Sequence, residues 1–207
     1  MKTVIRALLR QGSCAIINAM NIFVLDNCPQ TAAQYHCDKH VVKMILEYAQ
    51  LLSTAHRLLD GKEVEGKTAT GRKVKRWTLS DSEADARMLL ASHVNHPCAV
   101  WARHSKENYE WLYQLMVNLM QEYTYRYGKI HSIEKRCRTI LATPPKNIKS
   151  DCLTELPQAM PDHCKISNQP VPAYRSYYNI EKKRFAKWTK RPRPRWFTPT
   201  TLVILPT

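Results

Sequence analysis

Glycine is scarce in this sequence, with five residues among 207, whereas average usage of about 7% would supply about fourteen. That scarcity argues against glycine-rich nucleotide-binding folds and against turn-rich β-sandwiches and barrels. No run approaches the roughly 18 consecutive apolar residues that a membrane-spanning helix requires, so we expect no membrane span. The seven cysteines form no C-x-x-C pair. An odd number in a chain of this length predicts a reducing compartment, the cytoplasm, rather than a disulfide framework.

Acidic residues are few relative to basic ones. There are 17 Asp and Glu against 32 Lys and Arg, which gives a formal net charge of +15. A field of that sign attracts polyanions, and the partner that we predict is nucleic acid, in particular double-stranded DNA. An anionic membrane surface is the weaker alternative, because no Lys-rich amphipathic anchor with exposed Trp or Leu stands out. The neutral interpretation is a charge that only keeps the protein in solution.

The sequence pattern divides the chain into three parts. Met20 opens a Met-Asn-Ile-Phe-Val-Leu-Asp stretch typical of the start of a domain. Residues 1–19 are therefore interpreted as an N-terminal extension or a start-site artefact. Residues 20–197 are predicted to form a single helical nucleic-acid-binding domain, and residues 198–207 a C-terminal tail.

Hydrophobic periodicity and breaker residues predict a mainly α fold, a compact helical domain with a small β-hairpin and a long proline-rich irregular connection. Proline and glycine mark several of the boundaries. The predicted elements are a strand over 21–25, a helix over 31–59, the hairpin over 62–78, a helix from Ser80 to about Ser92, a helix from about 98 to 127 opened by Pro97, a helix over 130–142, the irregular connection over 144–172 and a last helix over 173–190.

The first long predicted helix carries a polar stripe. His36, His40, Lys43 and Glu47 are spaced by four, three and four residues, which places them on one helix face. Two histidines, a lysine and a glutamate are unusual on a solvated face, so the stripe predicts a cleft. The alternative is a wet helix face with incidental histidines. The opposite, apolar face is predicted to be buried through Val41, Met44, Ile45 and Tyr48.

Glu47 is the candidate general acid or base, because desolvation among apolar neighbours raises the pKa of a carboxyl group. Lys43, one turn away, is a candidate amine nucleophile. The alternative is a plain i,i+4 ion pair between the two, in the weaker of its two orientations. His40, His36 and His96 complete the predicted catalytic set.

His96 belongs to a second histidine pair, His93-x-x-His96, at a predicted break between helices. Neutral imidazole and cysteine thiolate are zinc ligands, so a zinc ion stays open as an alternative, but no metal is assigned. The other interpretation of His96 is a capping or packing role beside Pro97. The residues of the zinc alternative are His36, Cys37, His40, His93 and His96.

Basic residues gather near the C-terminus, where residues 181–195 hold eight Lys and Arg against one Glu. Phe185, Trp188 and Trp196 are interleaved with them. Basic side chains neutralise phosphates and aromatic rings stack on exposed bases, although Trp188 is expected to pack against the core. The residues predicted to contact nucleic acid are Arg72, Lys75, Arg76, Arg103, Arg126, Tyr174, Arg175, Lys190, Arg191, Arg193, Arg195 and Trp196.

Several motifs together resemble a family of bacteriophage proteins, found in marine tailed phages among others. The resemblance covers nearly everything from Met20 to Phe197 and implies a phage-encoded protein of the host cytoplasm, without implying a chemistry. The motifs are Met-Asn-Ile-Phe-Val-Leu-Asp (20–26), Cys-Asp-Lys-His-Val-Val-Lys-Met (37–44), Asn-His-Pro-Cys-Ala-Val-Trp (95–101), Glu-Tyr-Thr-Tyr-Arg-Tyr-Gly-Lys (122–129), Gln-Ala-Met-Pro-Asp (158–162) and Ala-Tyr-Arg-Ser-Tyr-Tyr (173–178).

A weaker similarity links the chain to the phage pyrimidine-dimer DNA glycosylase, endonuclease V. Shared features are a short start, a first helix with a His and a Glu, a second long helix, and an aromatic, basic end at 194–197. That family excises a damaged base with an amine nucleophile and a catalytic Glu, and a Schiff base to the sugar then allows strand cleavage.

The resemblance implies that Glu47 is the carboxylate and that the amine is the terminus of a chain starting at Met20. Asn21 departs from that family, whose amine lies on a small residue. In a chain that starts at Met1, Lys43 or Lys39 must supply the amine instead.

Two classes of function follow. The first is a DNA repair or processing enzyme of the DNA glycosylase/AP-lyase type, which acts on a damaged or flipped base with Glu47 and an amine as catalysts. The second is a non-catalytic nucleic-acid-binding phage factor whose histidines are structural or bind zinc.

Overall fold

The computed structural model describes residues 20–198, and within them it confirms the mainly α architecture with one small hairpin. No helix in this part of the chain is both long and apolar enough to cross a membrane. The elements are α1 (Pro29–Tyr35), α2 (Asp38–Asp60), β1 (Lys62–Lys67), β2 (Lys73–Thr78), α3 (Ser82–Arg87), α4 (Pro97–Ala102), α5 (Lys106–Tyr127), α6 (Ser132–Cys137) and α7 (Pro170–Tyr177), with 3-10 turns at Ile140–Ala142 and Asp162–Cys164 and a π-helical turn at Tyr178–Lys182.

Helices α2 and α5 form the centre of the domain, with α1 packed on α5 and α4 on both. The predicted apolar face of α2 is confirmed, since Val41, Met44, Ile45 and Tyr48 are all buried. Each buried side chain of this size contributes about 1.5–3 kcal/mol relative to an exposed one. The facing side of α5 buries Tyr109, Leu112, Leu115, Met116 and Leu119.

The segment over residues 20–25 is buried, but it is not the predicted strand. In the described part of the chain, the one sheet is the hairpin, so the segment has no strand to pair with. Its own carbonyls and nearby side chains satisfy its N–H groups instead. The Val24 and Leu25 N–H groups donate to the Ile22 and Phe23 carbonyls, and the Phe23 N–H donates to the Tyr48 hydroxyl at 3.1 Å. A buried coil is stable when its polar groups are paired in this way.

The helix predicted over 31–59 is two helices. It begins earlier, at Pro29, whose missing N–H is not needed in a first turn, and it breaks at His36 and Cys37, where ψ is 131° and 161°. The cause is Arg126. Its buried guanidinium donates to the carbonyls of Gln34 and His36, which a continuous helix would use as acceptors.

A second arginine shortens the helix predicted from Ser80. Asp81, not Ser80, caps α3, and its carboxylate accepts from the N–H groups of Glu83 and Ala84. Helix α3 ends at Arg87 rather than near Ser92. The buried Arg57 guanidinium binds the main-chain carbonyls of Asp85 and Met88, so the chain turns away there.

Three further boundaries differ from the prediction. The helix expected over 98–127 is divided into α4 and α5 by Ser105, whose hydroxyl accepts from the Asn108 N–H at 3.2 Å. The expected end at Gly128 is confirmed, with φ at +66°. The helix expected over 130–142 is α6 followed by a 3-10 turn, and the last helix runs from Pro170 through the π-helical turn rather than over 173–190.

The hairpin is confirmed. Its strands pair antiparallel from Lys62 with Thr78 to Lys67 with Lys73. At its tip, the Thr68 hydroxyl accepts from the Arg72 N–H at 3.1 Å, and Gly71 takes a φ of +83°, a conformation that costs glycine nothing.

The proline-rich connection before α7 is irregular, as predicted, apart from its short 3-10 turn. Helix side chains satisfy its backbone. The Asp60 carboxylate accepts from the N–H groups of Lys146 and Asn147, and the Asn108 side chain accepts from the Thr154 N–H. These contacts fix the connection to the ends of α2 and α5.

Candidate functional site

The Lys43 ammonium and the Glu47 carboxylate are in direct contact on the outer face of α2. Nζ lies 2.8 Å from Oε1, and the two side chains are 54% and 16% exposed. The predicted alternative of an i,i+4 ion pair is thus confirmed. The same contact places an accessible amine against a largely buried carboxylate.

A second nitrogen approaches Glu47 from the segment over 20–25. The Asn21 main-chain N–H donates to Oε2 at 3.4 Å. The Asn21 side chain is buried, with Oδ1 2.6 Å from the Tyr174 hydroxyl and Nδ2 donating to the Ala159 carbonyl at 2.8 Å. Glu47 therefore lies between Lys43 on its own helix and a backbone nitrogen that is held in place.

His36 is fully buried at the end of α1. Its Nδ1 lies 2.7 Å from the Ala32 carbonyl, and its Nε2 lies 2.9 Å from the Tyr48 hydroxyl. These partners assign the proton to Nδ1. Burial lowers the pKa of His36 to about 4, so the ring is neutral at pH 7. Because both ring nitrogens are engaged inside the protein, His36 is corrected from a catalytic to a structural residue.

His40 is also buried, with its ring stacked on Phe23 at a centroid distance of 4.3 Å. Its Nδ1 lies 2.5 Å from the Tyr178 hydroxyl. Burial, aided by the nearby charges of Lys182 and Lys43, lowers the pKa of His40 well below its ordinary value. His40 belongs to an aromatic cluster under the surface rather than to a catalytic group.

The predicted stripe therefore has two parts. His36 and His40 are inside the protein, and Lys43 and Glu47 are at its surface. One cleft lined by all four, as the spacing predicts, is not formed.

His96 caps α4, since its Nδ1 accepts from the Cys98 N–H at 3.2 Å. Burial lowers its pKa, which favours the neutral ring that can accept this bond. The capping interpretation is thus confirmed. Within residues 20–198, the histidines and the cysteine of the zinc alternative bring no three ligand atoms together, so the structure gives no support to zinc at His36, Cys37, His40, His93 and His96.

The C-terminal basic segment, residues 182–195, folds against the N-terminal end of α2. The Thr189 N–H and hydroxyl each donate to the Asp38 carboxylate at 2.9 Å. Lys39 Nζ lies 5.0 Å over the Phe185 ring, and that ring lies 5.7 Å from the ring of His40. These contacts hold the segment against the first turn of α2, about one turn before Lys43.

Some residues of this segment are exposed, and others are held by contacts with α5. Arg193 and Arg195 are exposed. Arg191 pairs with Glu122 at 2.5 Å and lies 4.5 Å over the Tyr125 ring, and Lys190 donates to the Tyr125 carbonyl. Of the four cations of this segment predicted to contact nucleic acid, Arg193 and Arg195 are therefore the best placed for phosphate.

Arg175 and Trp196 pack on each other. The Arg175 guanidinium lies 5.5 Å over the indole of Trp196 and donates to the Leu25 carbonyl and the Asp26 carboxylate. The Trp196 ring also meets Tyr35 edge-on at 5.7 Å. Both residues stabilise the C-terminal end of the fold, and the indole is not a free surface for stacking.

Arg126 and Tyr174 are corrected from nucleic-acid contacts to core residues. The Arg126 side chain is 0% exposed and pairs with Glu122 at 3.1 Å and Asp38 at 3.0 Å. Tyr174 is equally buried. Neither side chain reaches a ligand at the surface, because each is enclosed by the packing that it supports.

The hairpin is a separate basic region. Arg72 at its tip is exposed, Arg76 is half-buried and Lys75 is paired with Glu63 at 2.9 Å. It follows the C-terminal end of α2, about 26 Å along the helix axis from Lys43. Arg103, near the end of α4, is half-buried, and burial lowers its pKa.

Sequence reasoning missed Asn21 as part of the site. The signal was a single amide side chain opening an otherwise apolar run, because a buried amide needs partners for each of its polar atoms. Its partners lie 138 and 153 positions away in sequence, which no local pattern reveals.

Comparison with protein-family models, with curated proteins and with solved structures finds no match for this chain.

Proposed function

We propose that this protein is a DNA-binding enzyme of the DNA glycosylase/AP-lyase type, with Lys43 as the amine and Glu47 as the carboxylate. The observation that carries the proposal is the 2.8 Å contact between the two groups on an exposed helix face. A Schiff-base lyase needs those two groups, an amine to attack the sugar and a base beside it.

The Glu47 carboxylate acts in two steps of the proposed lyase reaction. Glu47 takes a proton from the Lys43 ammonium, and the free amine attacks C1′ of the open-chain abasic sugar. Glu47 returns that proton to the departing hydroxide, which leaves as water, and an iminium remains. Glu47 then removes a C2′ proton, the C3′–O bond breaks, and the 3′ phosphate leaves with the electron pair. In the glycosylase step, the same amine displaces a damaged base from C1′.

The charge around the pair supports a DNA substrate. Lys39 lies one turn before Lys43, and the C-terminal basic segment is held beside them by its contacts with Asp38. Cations neutralise the phosphates that flank an abasic site, and this brings the sugar to the amine. The hairpin, about 26 Å away along α2, can reach the same duplex about eight base pairs further on.

The test is borohydride trapping on duplex DNA with one abasic site. We expect the wild-type chain to form a covalent adduct, and Lys43→Ala and Glu47→Gln to lose it. Lys106→Ala is the matched control, because it removes the lysine of another exposed i,i+4 Lys–Glu pair, on α5, and is expected to keep the adduct. Mass spectrometry of the digested adduct identifies the reacting amine.

The outcomes separate the candidate amines. An adduct on the Lys43 peptide supports the proposal as stated. An adduct on a peptide that begins at residue 20 or 21 moves the amine to the backbone nitrogen that contacts Glu47, as the glycosylase resemblance implies. No adduct from the wild-type chain overturns the lyase mechanism.

The second candidate is a nucleic-acid-binding factor without catalysis. The observation that favours it is the ordinary i,i+4 geometry of the Lys43–Glu47 pair, since such pairs are common on helix surfaces. This candidate predicts DNA binding that weakens with salt, no trapped adduct, and affinity unchanged by Glu47→Gln.

A further inference from the structure

A second cluster of reactive side chains lies away from the Lys43–Glu47 pair. Within residues 20–198, His163, Cys164 and Glu181 are the group of three His, Cys, Asp or Glu residues whose ligand atoms all lie within 4.8 Å of one another. His163 Nε2 and Glu181 Oε1 are 2.9 Å apart. Nothing in the proposed lyase chemistry uses these residues.

The backbone brings the three together from two turns. His163 and Cys164 lie in the 3-10 turn Asp162–Cys164, which is closed by the Cys164 N–H donating to the Pro161 carbonyl at 2.9 Å. Glu181 lies in the π-helical turn that follows α7. π-helical turns are frequent at functional sites, and here the two turns join the irregular connection to the C-terminal end of the fold.

The donor set indicates which metal ion fits. An imidazole nitrogen, a thiolate sulfur and a carboxylate oxygen together are ligands of Zn²⁺. Ca²⁺ and Mg²⁺ prefer oxygen ligands alone, so the sulfur and the nitrogen argue against them. Three protein ligands leave a fourth tetrahedral position for water or a substrate atom.

The surroundings permit the ligands to move into place. Cys164 is buried, whereas the His163 and Glu181 side chains are 56% and 42% exposed and bonded to each other. Tetrahedral zinc holds its ligand atoms about 3.3–3.8 Å apart. The widest spacing, at most 4.8 Å, must therefore shorten by about 1–1.5 Å, and the 2.9 Å His163–Glu181 contact must open slightly. The neighbouring Lys182 ammonium is bound to the Tyr177 hydroxyl at 2.8 Å and lies 4.2 Å from the centre of that ring.

We propose that His163, Cys164 and Glu181 bind a zinc ion, which ties the proline-rich connection to the turn after α7. The proposal is independent of the lyase mechanism, because it concerns other residues and its test contains no DNA.

The test is a titration of the reduced, metal-free full-length chain with Co²⁺, a spectroscopic substitute for Zn²⁺. We expect one equivalent to produce tetrahedral d–d bands and a thiolate-to-cobalt charge-transfer band, and Zn²⁺ to displace it. Cys164→Ser should remove the charge-transfer band. His163→Ala and Glu181→Gln should weaken zinc binding by about tenfold or more, since loss of even an outer partner of a metal site costs that much.

Matched controls lie in the same chain. Cys152→Ser removes an exposed cysteine of the same connection, and His104→Ala removes an exposed histidine. Both should bind Co²⁺ like the wild type. No charge-transfer band in the wild-type chain, or a band that survives Cys164→Ser, overturns the proposal. If the Cys164 variant does not fold, the test depends on His163→Ala and Glu181→Gln. An unchanged zinc affinity in both variants also overturns the proposal.

Discussion

The two halves of the polar stripe share their sequence spacing but differ in environment. His36 and His40 are enclosed by Phe23, Tyr48 and Tyr178, and their pKa values are lowered. Lys43 and Glu47, one and two turns further on, are at the surface and contact each other. The inner pair therefore stabilises the fold and the outer pair is available for chemistry. Sequence spacing determines which residues share a helix face. The segments packed against that face determine which of these residues are buried and which are exposed.

The largest loss of stability should follow the removal of Arg126, which binds the backbone at His36. Arg126 binds the carbonyls that end α1 and pairs with Asp38 and Glu122 in full burial. Arg126→Ala should lower the free energy of unfolding by about 3–5 kcal/mol, because it removes a buried partner of Glu122 and leaves the carbonyls of Gln34 and His36 without their donor. Urea denaturation measures this. Arg193→Ala is the matched exposed control, and an equal loss in both variants would contradict the assignment of Arg126 to the core.

The second largest effect on stability should come from acid, which acts on His36 and His40. The folded-state pKa values of His36, about 4, and of His40, well below the ordinary 6.5, mean that the unfolded chain binds more protons between about pH 6.5 and 4. The stability that these histidines contribute is complete above pH 6.5 and is lost as the pH falls. As the pH falls from 7.5 to 5.5, each histidine should lower the free energy of unfolding by about 1 kcal/mol.

Urea midpoints at the two pH values test this dependence. The exposed His93 and His104 provide the control, since replacing them with Gln should leave the loss unchanged. Burial also lowers the pKa of His56 to about 4, so His56 adds to the loss. A midpoint that does not fall toward pH 5.5 would contradict the neutral state of the buried rings.

The outer pair should matter little for stability. Lys43→Ala and Glu47→Gln should each change the free energy of unfolding by about 0.5 kcal/mol or less, because a partly exposed i,i+4 ion pair is worth no more than that. Thermal and urea denaturation measure the change. A loss above about 2 kcal/mol would mean that the pair supports the fold, and any effect of these variants on trapping would then lose its meaning.

The smallest structural effect should come from the exposed arginines. Arg193→Ala and Arg195→Ala should leave stability within about 0.5 kcal/mol of the wild type. If each neutralises one phosphate, each should reduce the slope of log affinity for duplex DNA against log salt by about 1. An unchanged slope in both variants would move the DNA surface away from the C-terminal basic segment.

Local patterns predicted the hairpin, the buried face of α2, the end of α5 at Gly128 and the contact between Lys43 and Glu47. They failed where a distant arginine donates hydrogen bonds to main-chain carbonyls at a helix end, as Arg126 does at His36 and Arg57 does at Met88. They also failed for the segment over 20–25, because its partners come from α2 and α7 rather than from a strand. A long basic side chain in the sequence gives no sign of whether it will face solvent or cap a helix inside the protein.

The contacts between the first and last described segments have a consequence for synthesis of the protein. Asn21 meets Tyr174, Tyr35 meets Trp188 and Asp38 meets Thr189 across 153, 153 and 151 positions of sequence. Pairings of such high contact order form slowly. Until the last described segment has been synthesised, the side chains of Phe23 and His40 are not covered in the nascent chain. We therefore expect the domain to close late, once residues 174–197 are available, and to depend on holdase chaperones when it is made quickly.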